Sequence, residues 1–212
     1  MSGAVHPLTS VLAGLARLIS GVQVRWLDCR PEHHQRLYFA NHTSHLDTVV
    51  LWAALPPEVR ALTRPVAAKE YWEKSALRRY VSTRLFHAVL VERAPDAGGM
   101  HLAAARDAVK EMLEAMGERY SLIIFPEGTR GSGEALAPFK SGLFYLASAR
   151  QGLELVPVYL QNLNRILPKG EILPVPLLST VTFGPPLRLE AGESKKAFLG
   201  RAEQALVRLR SA

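Results

Sequence analysis

Arg36-Leu37-Tyr38-Phe39-Ala40 runs directly into Asn41-His42-Thr43-Ser44-His45-Leu46-Asp47, and this join decides the fold. The first five residues read as a short apolar strand. The polar run reads as a turn, with Ser44 as a helix N-cap and Asp47 three residues on. Thr48 to Leu55 continues apolar until Pro56-Pro57 ends the helix. A strand feeding a helix through a polar turn is the repeating unit of α/β proteins.

The same alternation extends outward. Upstream, Val22 to Leu27 reads as a strand. Before it, Val11, Leu12, Leu15, Leu18, Ile19 and Val22 fall on one helical face. Arg17 interrupts an apolar run already too short for a membrane span, and the first ten residues lack the Lys or Arg of a signal peptide. The spacing predicts an amphipathic helix that either docks on the domain or lies on a membrane surface.

Downstream, Val59 to Ala67 reads as a strand, Lys69 to Phe86 as a basic and partly helical stretch, and Ala88 to Val91 as a strand ending at Glu92-Arg93. Gly98-Gly99 opens a helix that Gly117 can close. Ser121 to Phe125 reads as a buried strand, Ser141 to Arg150 as a helix, and Glu154 to Leu160 as a strand broken by Pro157. After a loop at Leu167 to Pro176 come a strand, Leu178 to Phe183, and a helix, Ser194 to Arg210. The expectation is a single α/β domain, a mixed central sheet flanked by helices, over residues 25–212. An N-terminal amphipathic helix and entry strand occupy residues 1–24.

With 212 residues, 48% of them hydrophobic, the chain can bury a substantial core. Its one cysteine, Cys29, excludes an internal disulfide and points to a reducing compartment. A net charge of +7 favours anionic partners. Without zinc-finger spacing or a convincing helix-turn-helix or RNA-binding signature, nucleic acid is not among the expected ones.

His42, between a strand and a helix start, is placed where ligands gather at a sheet edge. A neutral imidazole can take a hydroxyl proton at physiological pH, and Asp47 can fold back to fix its tautomer. No nucleophilic Ser or Cys is needed if the substrate brings the hydroxyl. Backbone N–H groups near Ser44 are candidates for oxyanion donors. His42, His45 and Asp47 do not have the spacing of a known metal motif, and no later His or Cys cluster completes a shell, so no metal is expected. His33-His34 reads as a solvated turn. In Phe125-Pro126-Glu127-Gly128-Thr129-Arg130, a buried strand enters a turn where Gly128 allows positive φ. Arg130 offers a planar fork suited to phosphate. Glu127 can accept from a hydroxyl or hold Arg130. Arg93 and Lys140 are further cations able to converge on the same anion.

These stretches together resemble the glycerolipid acyltransferases. Asn41-His42-x-Ser44-x-x-Asp47 is similar to that family's first motif, and Val89-Leu90-Val91-Glu92-Arg93 resembles the second, which closes on an arginine. Phe125 to Arg130 matches the third in full, and Val156-Pro157-Val158 resembles the fourth. The resemblance implies transfer of a fatty acyl group from acyl-CoA or acyl carrier protein to a glycerol hydroxyl of a lyso-phospholipid, lysophosphatidate foremost. It implies His42 as general base, with Asp47 orienting it. Arg93, Glu127, Gly128, Thr129, Arg130 and Lys140 would form the substrate-binding set, and Asn41, Ser44 and Pro157 would shape the site. No prosthetic group is implied, and the expected setting is the cytoplasmic face of a membrane, peripheral or shallowly inserted. Another lyso-lipid acceptor, a hydrolase using the same pair on water, and a silent lipid-binding module are the competing readings.

Overall fold

The computed structural model describes residues 7–92, 100–166 and 178–211. Its strands are β1 (Gln23–Trp26), β2 (Arg36–Ala40), β3 (Thr63–Ala68), β4 (Val89–Val91), β5 (Ser121–Ile124), β6 (Glu154–Gln161) and β7 (Thr180–Phe183). Its helices are α1 (Pro7–Ser20), α2 (Asp47–Ala54), α3 (Pro57–Ala61), α4 (Lys69–Trp72), α5 (Ala76–Tyr80), α6 (Met100–Met116), α7 (Gly142–Ala149), α8 (Leu163–Ile166) and α9 (Lys195–Leu209). A π-helical segment, Val81–Leu85, follows α5.

The strands form one sheet in the order β1-β7-β6-β2-β5-β3-β4. Strands β2 to β6 run parallel, while β7 is antiparallel to β6 and carries β1 parallel to itself. The mixed α/β sheet read from the sequence is thus present. All five residues of β2 are buried, as a strand covered on both faces requires. Tyr38 and Ala40 pack on one face with Val50, Leu51, Trp52 and Phe86, beneath α1 and α2. Leu37 and Phe39 pack on the other with Met112, Leu143 and Phe198 of α6, α7 and α9.

Several elements depart from the sequence reading. The stretch from Val59 to Ala67 is not one strand: Pro57 at the first helical position starts α3, and the strand begins only at Thr63. Leu55, forced toward extended backbone by the following proline, has ψ 143° and ends α2. The break expected at Pro157 does not occur. Pro157 O accepts from Gly184 N at 2.9 Å. Its imide nitrogen therefore faces the same flank, beyond the last paired residue Phe183, and no bond to β2 is lost. The short α8 follows Asn162, whose φ is +68°, and had no clear periodic signal. Gly117 (φ +47°) closes α6, as expected, and Ser194, read as the start of the last helix, caps α9 by accepting from Ala197 N at 3.2 Å. Gly98-Gly99 and the Leu167–Pro176 loop lie outside the described residues.

Helix α1 docks on the domain, the first of the two alternatives, and leaves an apolar row exposed. Leu12, Ala13 and Ala16 pack inward against the core around α2. Leu8, Val11, Leu15, Leu18 and Ile19 are exposed, Leu18 at 80%. Apart from Leu12, the docking contacts use small residues, and most of the large apolar ones project outward.

At the opposite end of the sheet from Asn41, His34 does not simply face solvent. Its Nε2 lies 2.7 Å from Glu154 Oε2, which also accepts from Arg36 Nε at 2.9 Å, while Arg188 Nη2 donates to Oε1 at 2.7 Å. Burial pushes the Glu154 carboxyl up, but the bonds from His34, Arg36 and Arg188 outweigh it and hold the group at about 2. A depressed carboxylate contributes stability above its unfolded value of 4.5 and loses it as the pH falls toward about 2. Glu154→Gln should cost about 2 kcal/mol at neutral pH, below the roughly 3–5 of a fully buried pair because the amide oxygen still accepts. Urea melts should show the difference from wild type shrinking between pH 4.5 and about 2.

Candidate active site

Phe39 of β2 pairs with Ile124 of β5 in a parallel ladder. Three residues beyond each stand His42 and Glu127, and Glu127 Oε1 accepts from His42 N at 2.8 Å. The first and third motifs therefore meet because their strands are neighbours ending in register. The chain leaves β2 toward α2 on one face and β5 toward α7 on the other. Such a parting opens a crevice at the carboxyl ends of parallel strands, where ligands bind in open α/β sheets.

Asp47 is fully buried. Its Oδ2 accepts from Thr43 N at 2.6 Å and Ser44 N at 2.8 Å, and lies 2.9 Å from His42 Nδ1. Facing an acceptor-only carboxylate, Nδ1 carries the proton, which leaves Nε2 with its lone pair for a substrate. The imidazole stacks on Phe125, with centroids 4.2 Å apart and planes inclined by 21°, and its side chain is 21% exposed. Phe125 was read as the end of a strand; its role as the platform for His42 depends on strand pairing and carries no local signal.

Ser44 is not the N-cap. The helix starts at Asp47 after Leu46, which has helical φ and ψ. Ser44 Oγ accepts from Leu46 N at 3.3 Å, and the Asp47 carboxylate, turned back, holds the turn. This corrects a second expectation: the Thr43 and Ser44 N–H groups are already bonded to Asp47 and so are poor oxyanion donors. Asn41 prolongs the β2–β6 ladder with its side chain, donating to Leu160 O at 2.9 Å and accepting from Leu160 N at 2.7 Å. Pro157 stands opposite Phe39 in that ladder.

Glu127, expected to accept from a hydroxyl or hold Arg130, instead bonds backbone with both oxygens: Oε1 accepts from His42 N, and Oε2 from Ala137 N at 2.8 Å. Gly131 N adds a bond to His42 O at 2.8 Å. Gly128 is required by its φ of +72°, and the Lys140 stem lies against it, 2.7 Å from where a Cβ would stand. Lys140 is thus brought against the third motif, as its own N–H bond to Pro126 O at 2.8 Å also ensures. Thr129 and Arg130 are exposed on the same loop, and no described carboxylate pairs with Arg130. Arg93 lies outside the described residues. Among the described residues, no group of three His, Cys, Asp or Glu side chains could hold a metal. A cavity beside the turn, reaching Thr43, Tyr159 and Arg210, measures 190 Å³. That is less than the roughly 300–1,000 Å³ of ligand pockets, and His42 does not line it.

A buried carboxylate orienting a partly exposed histidine, at the carboxyl end of a parallel strand pair in an α/β sheet, defines the class of site. Residues 21–161 match the Acyltransferase family, and the chain belongs to it. It is similar to the 1-acyl-sn-glycerol-3-phosphate acyltransferase of Limnanthes douglasii, 31% identical over 185 residues, covering 85% of this chain and 60% of the relative. The enzyme of that name from Limnanthes alba is 30% identical over 185 residues, with the same coverage of 85% and 60%. The chain spans about three fifths of the length of these relatives. The crystal structure of the 1-acyl-sn-glycerophosphate acyltransferase of Thermotoga maritima has the same fold. It superposes with a TM-score of 0.69 at 19% identity, covering 96% of this chain and 79% of that one.

Because Glu127 serves two backbone donors, Glu127→Gln puts an amide nitrogen against one of them. It should cost about 1–3 kcal/mol, the range for a buried donor left unsatisfied, measured by chemical denaturation. A variant as stable as wild type would mean that the carboxylate does not hold these two loops together.

Proposed function

We propose that this protein transfers a fatty acyl group from acyl-CoA or acyl carrier protein to the free glycerol hydroxyl of lysophosphatidate, 1-acylglycerol-3-phosphate, as a step in phospholipid synthesis. The observation that carries this reading is the His42 Nδ1 contact with buried Asp47 at 2.9 Å, in a chain of the Acyltransferase family. Nε2 of His42 takes the proton of the acceptor hydroxyl as its oxygen attacks the thioester carbonyl. The new C–O bond forms and a tetrahedral oxyanion results. The oxyanion collapses, the C–S bond breaks, and the leaving thiolate takes the proton from the imidazolium. Asp47 stabilises that imidazolium and fixes its tautomer. A thioester is already activated, so a base and a positioned alcohol suffice without an enzyme nucleophile. Arg130 and Lys140, both exposed around Gly128, supply charge for the acceptor phosphate, together with Arg93. No prosthetic group takes part.

The exposed row on α1 supports a setting on the cytoplasmic face of a membrane, where lipid substrates are held. No described helix is long and apolar enough to cross a membrane. The outward Leu8, Val11, Leu15 and Leu18 suit a helix lying in the interface while its other side stays docked.

The deciding experiment offers one acyl-CoA with a panel of acceptors and reads the products by mass spectrometry. Lysophosphatidate should gain the acyl chain faster than monoacylglycerol, which lacks the phosphate. Release of free CoA and fatty acid without acceptor acylation would instead establish a hydrolase. His42→Ala should lower turnover by at least about 100-fold, the lower range for a general base, with the fold retained. Asp47→Asn should lower kcat more than it alters KM.

Truncating α1 would strip a packing partner from α2, so attachment is better tested on the outer face alone. The double variant Val11→Asp, Leu18→Asp should keep its melting behaviour and float far less with anionic vesicles. Undiminished flotation would place the attachment elsewhere on the surface.

A further inference from the structure

We propose that Arg17 of α1 is a positioning residue for the His42–Asp47 pair, acting through α2; this rests on the reading of that pair as base and orienting carboxylate. Arg17 Nε donates to Ala53 O at 2.8 Å and its Nη2 to Ala54 O at 3.1 Å. These are carbonyls of the last turn of α2, and Asp47 is the first residue of the same helix. Eight residues span only about 12 Å at 1.5 Å per residue. A single short rod therefore joins the guanidinium to the catalytic carboxylate.

The charges agree with this arrangement. Asp47 places a negative charge at the positive end of the α2 dipole. Arg17 places a positive one at the other end, beside Arg60, whose Nη1 lies 3.5 Å from Leu55 O and whose guanidinium sits 5.0 Å from the Trp52 ring centroid. Burial, and then the charge of Arg17, weaken the hold of Arg60 on its proton. Two cations thus converge on one helix end despite their repulsion.

The contact is separable from the docking of α1. Ala13 is buried against the core, and Ser20 O accepts from Ser179 Oγ at 2.9 Å, so α1 stays seated without the guanidinium. What Arg17 adds is the axial and rotational setting of α2. That setting matters because His42 Nδ1, Thr43 N and Ser44 N all converge on one Asp47 oxygen, and a shift of about 1 Å at such a site can cost roughly 100-fold in rate. Since α1 also carries the exposed apolar row, the helix facing the lipid surface is bonded to the helix bearing the catalytic carboxylate.

The test uses the full chain with Arg17→Met, which keeps an apolar stem and removes the donors. In the wild type, proton NMR should show a downfield resonance for the His42 Nδ1 proton. In the variant it should broaden or move upfield, kcat should fall at least about tenfold, and KM for acyl-CoA should stay within about twofold, in keeping with displaced reacting groups. Flotation with anionic vesicles should be unchanged. Arg17→Lys, which can still donate to a C-terminal carbonyl, should recover most of the turnover. A folded Arg17→Met with wild-type resonance and kcat overturns the proposal. So does a loss of kcat that only accompanies lost flotation, which would make Arg17 a holder of α1. If the wild type acylates no acceptor, the proposed function fails while the resonance still decides the role of Arg17. Should Arg17→Met lose its fold, Arg17→Leu, which also lacks a donor, is read in its place by the same measurements.

Discussion

A buried carboxylate needs donors, and Asp47 gathers three on one oxygen, with His42 Nδ1, Thr43 N and Ser44 N at Oδ2, while its buried Oδ1 has none among the described residues. The path of the chain from residue 41 to residue 47 follows from that requirement. The backbone folds over so that two consecutive N–H groups point at one atom, and the imidazole of the preceding residue is drawn to the same place. The result is a turn in which structure and chemistry share a bond acceptor. The interaction that stabilises the turn also selects the tautomer of His42, leaving its outer nitrogen unprotonated.

The sheet supports this turn from both flanks by a single device. Main-chain pairing of β2 ends at Ala40 toward β6 and at Phe39 toward β5. Beyond those points side chains take over. The amide of Asn41 exchanges two bonds with Leu160 on one side, and the carboxylate of Glu127 accepts from His42 N on the other. With Gly131 N donating to His42 O at 2.8 Å, the peptide groups on either side of the His42 Cα are both bonded, yet the chain turns out of the sheet. Phe125 completes the support from the neighbouring strand end. Side chains from two neighbouring strands thus fix a turn that main-chain pairing no longer reaches.

The sequence made some of this legible and hid the rest for physical reasons. Buried strands such as Leu37–Phe39 and Leu122–Ile124 announce themselves because burial on two faces demands unbroken apolar runs. The His42–Asp47 contact was legible because both partners lie within one turn. The partners of Glu127 were not, since both are backbone N–H groups, which look alike in every sequence, and His42 is 85 residues away. The Ser44 cap was misread because serine and aspartate at this spacing fit two opposite bonding patterns, and only the burial of Asp47 chooses between them. Pro157 was misread because the flank its nitrogen faces depends on where β7 stops pairing. Of the apolar face read on α1, Val11, Leu15, Leu18 and Ile19 are exposed, while Leu12 and Val22 pack inward with Ala13 and Ala16, small residues that close packing against α2 favours and a hydrophobicity pattern undervalues.

The sheet order also sets a schedule for synthesis. The strand β2 lies between β5 and β6, and neither exists until the ribosome has added more than eighty further residues, as the 85-position separation of His42 and Glu127 measures. At about 5–20 residues per second that interval is roughly 4–17 s. During it a largely apolar strand waits in the nascent chain with both edges unpaired, the state most exposed to misassociation. The helices α1 and α2 can pair meanwhile, since only 36 positions separate Arg17 from its partner Ala53. The exposed apolar face of α1 is thus complete before the histidine has its supports from β5 and β6.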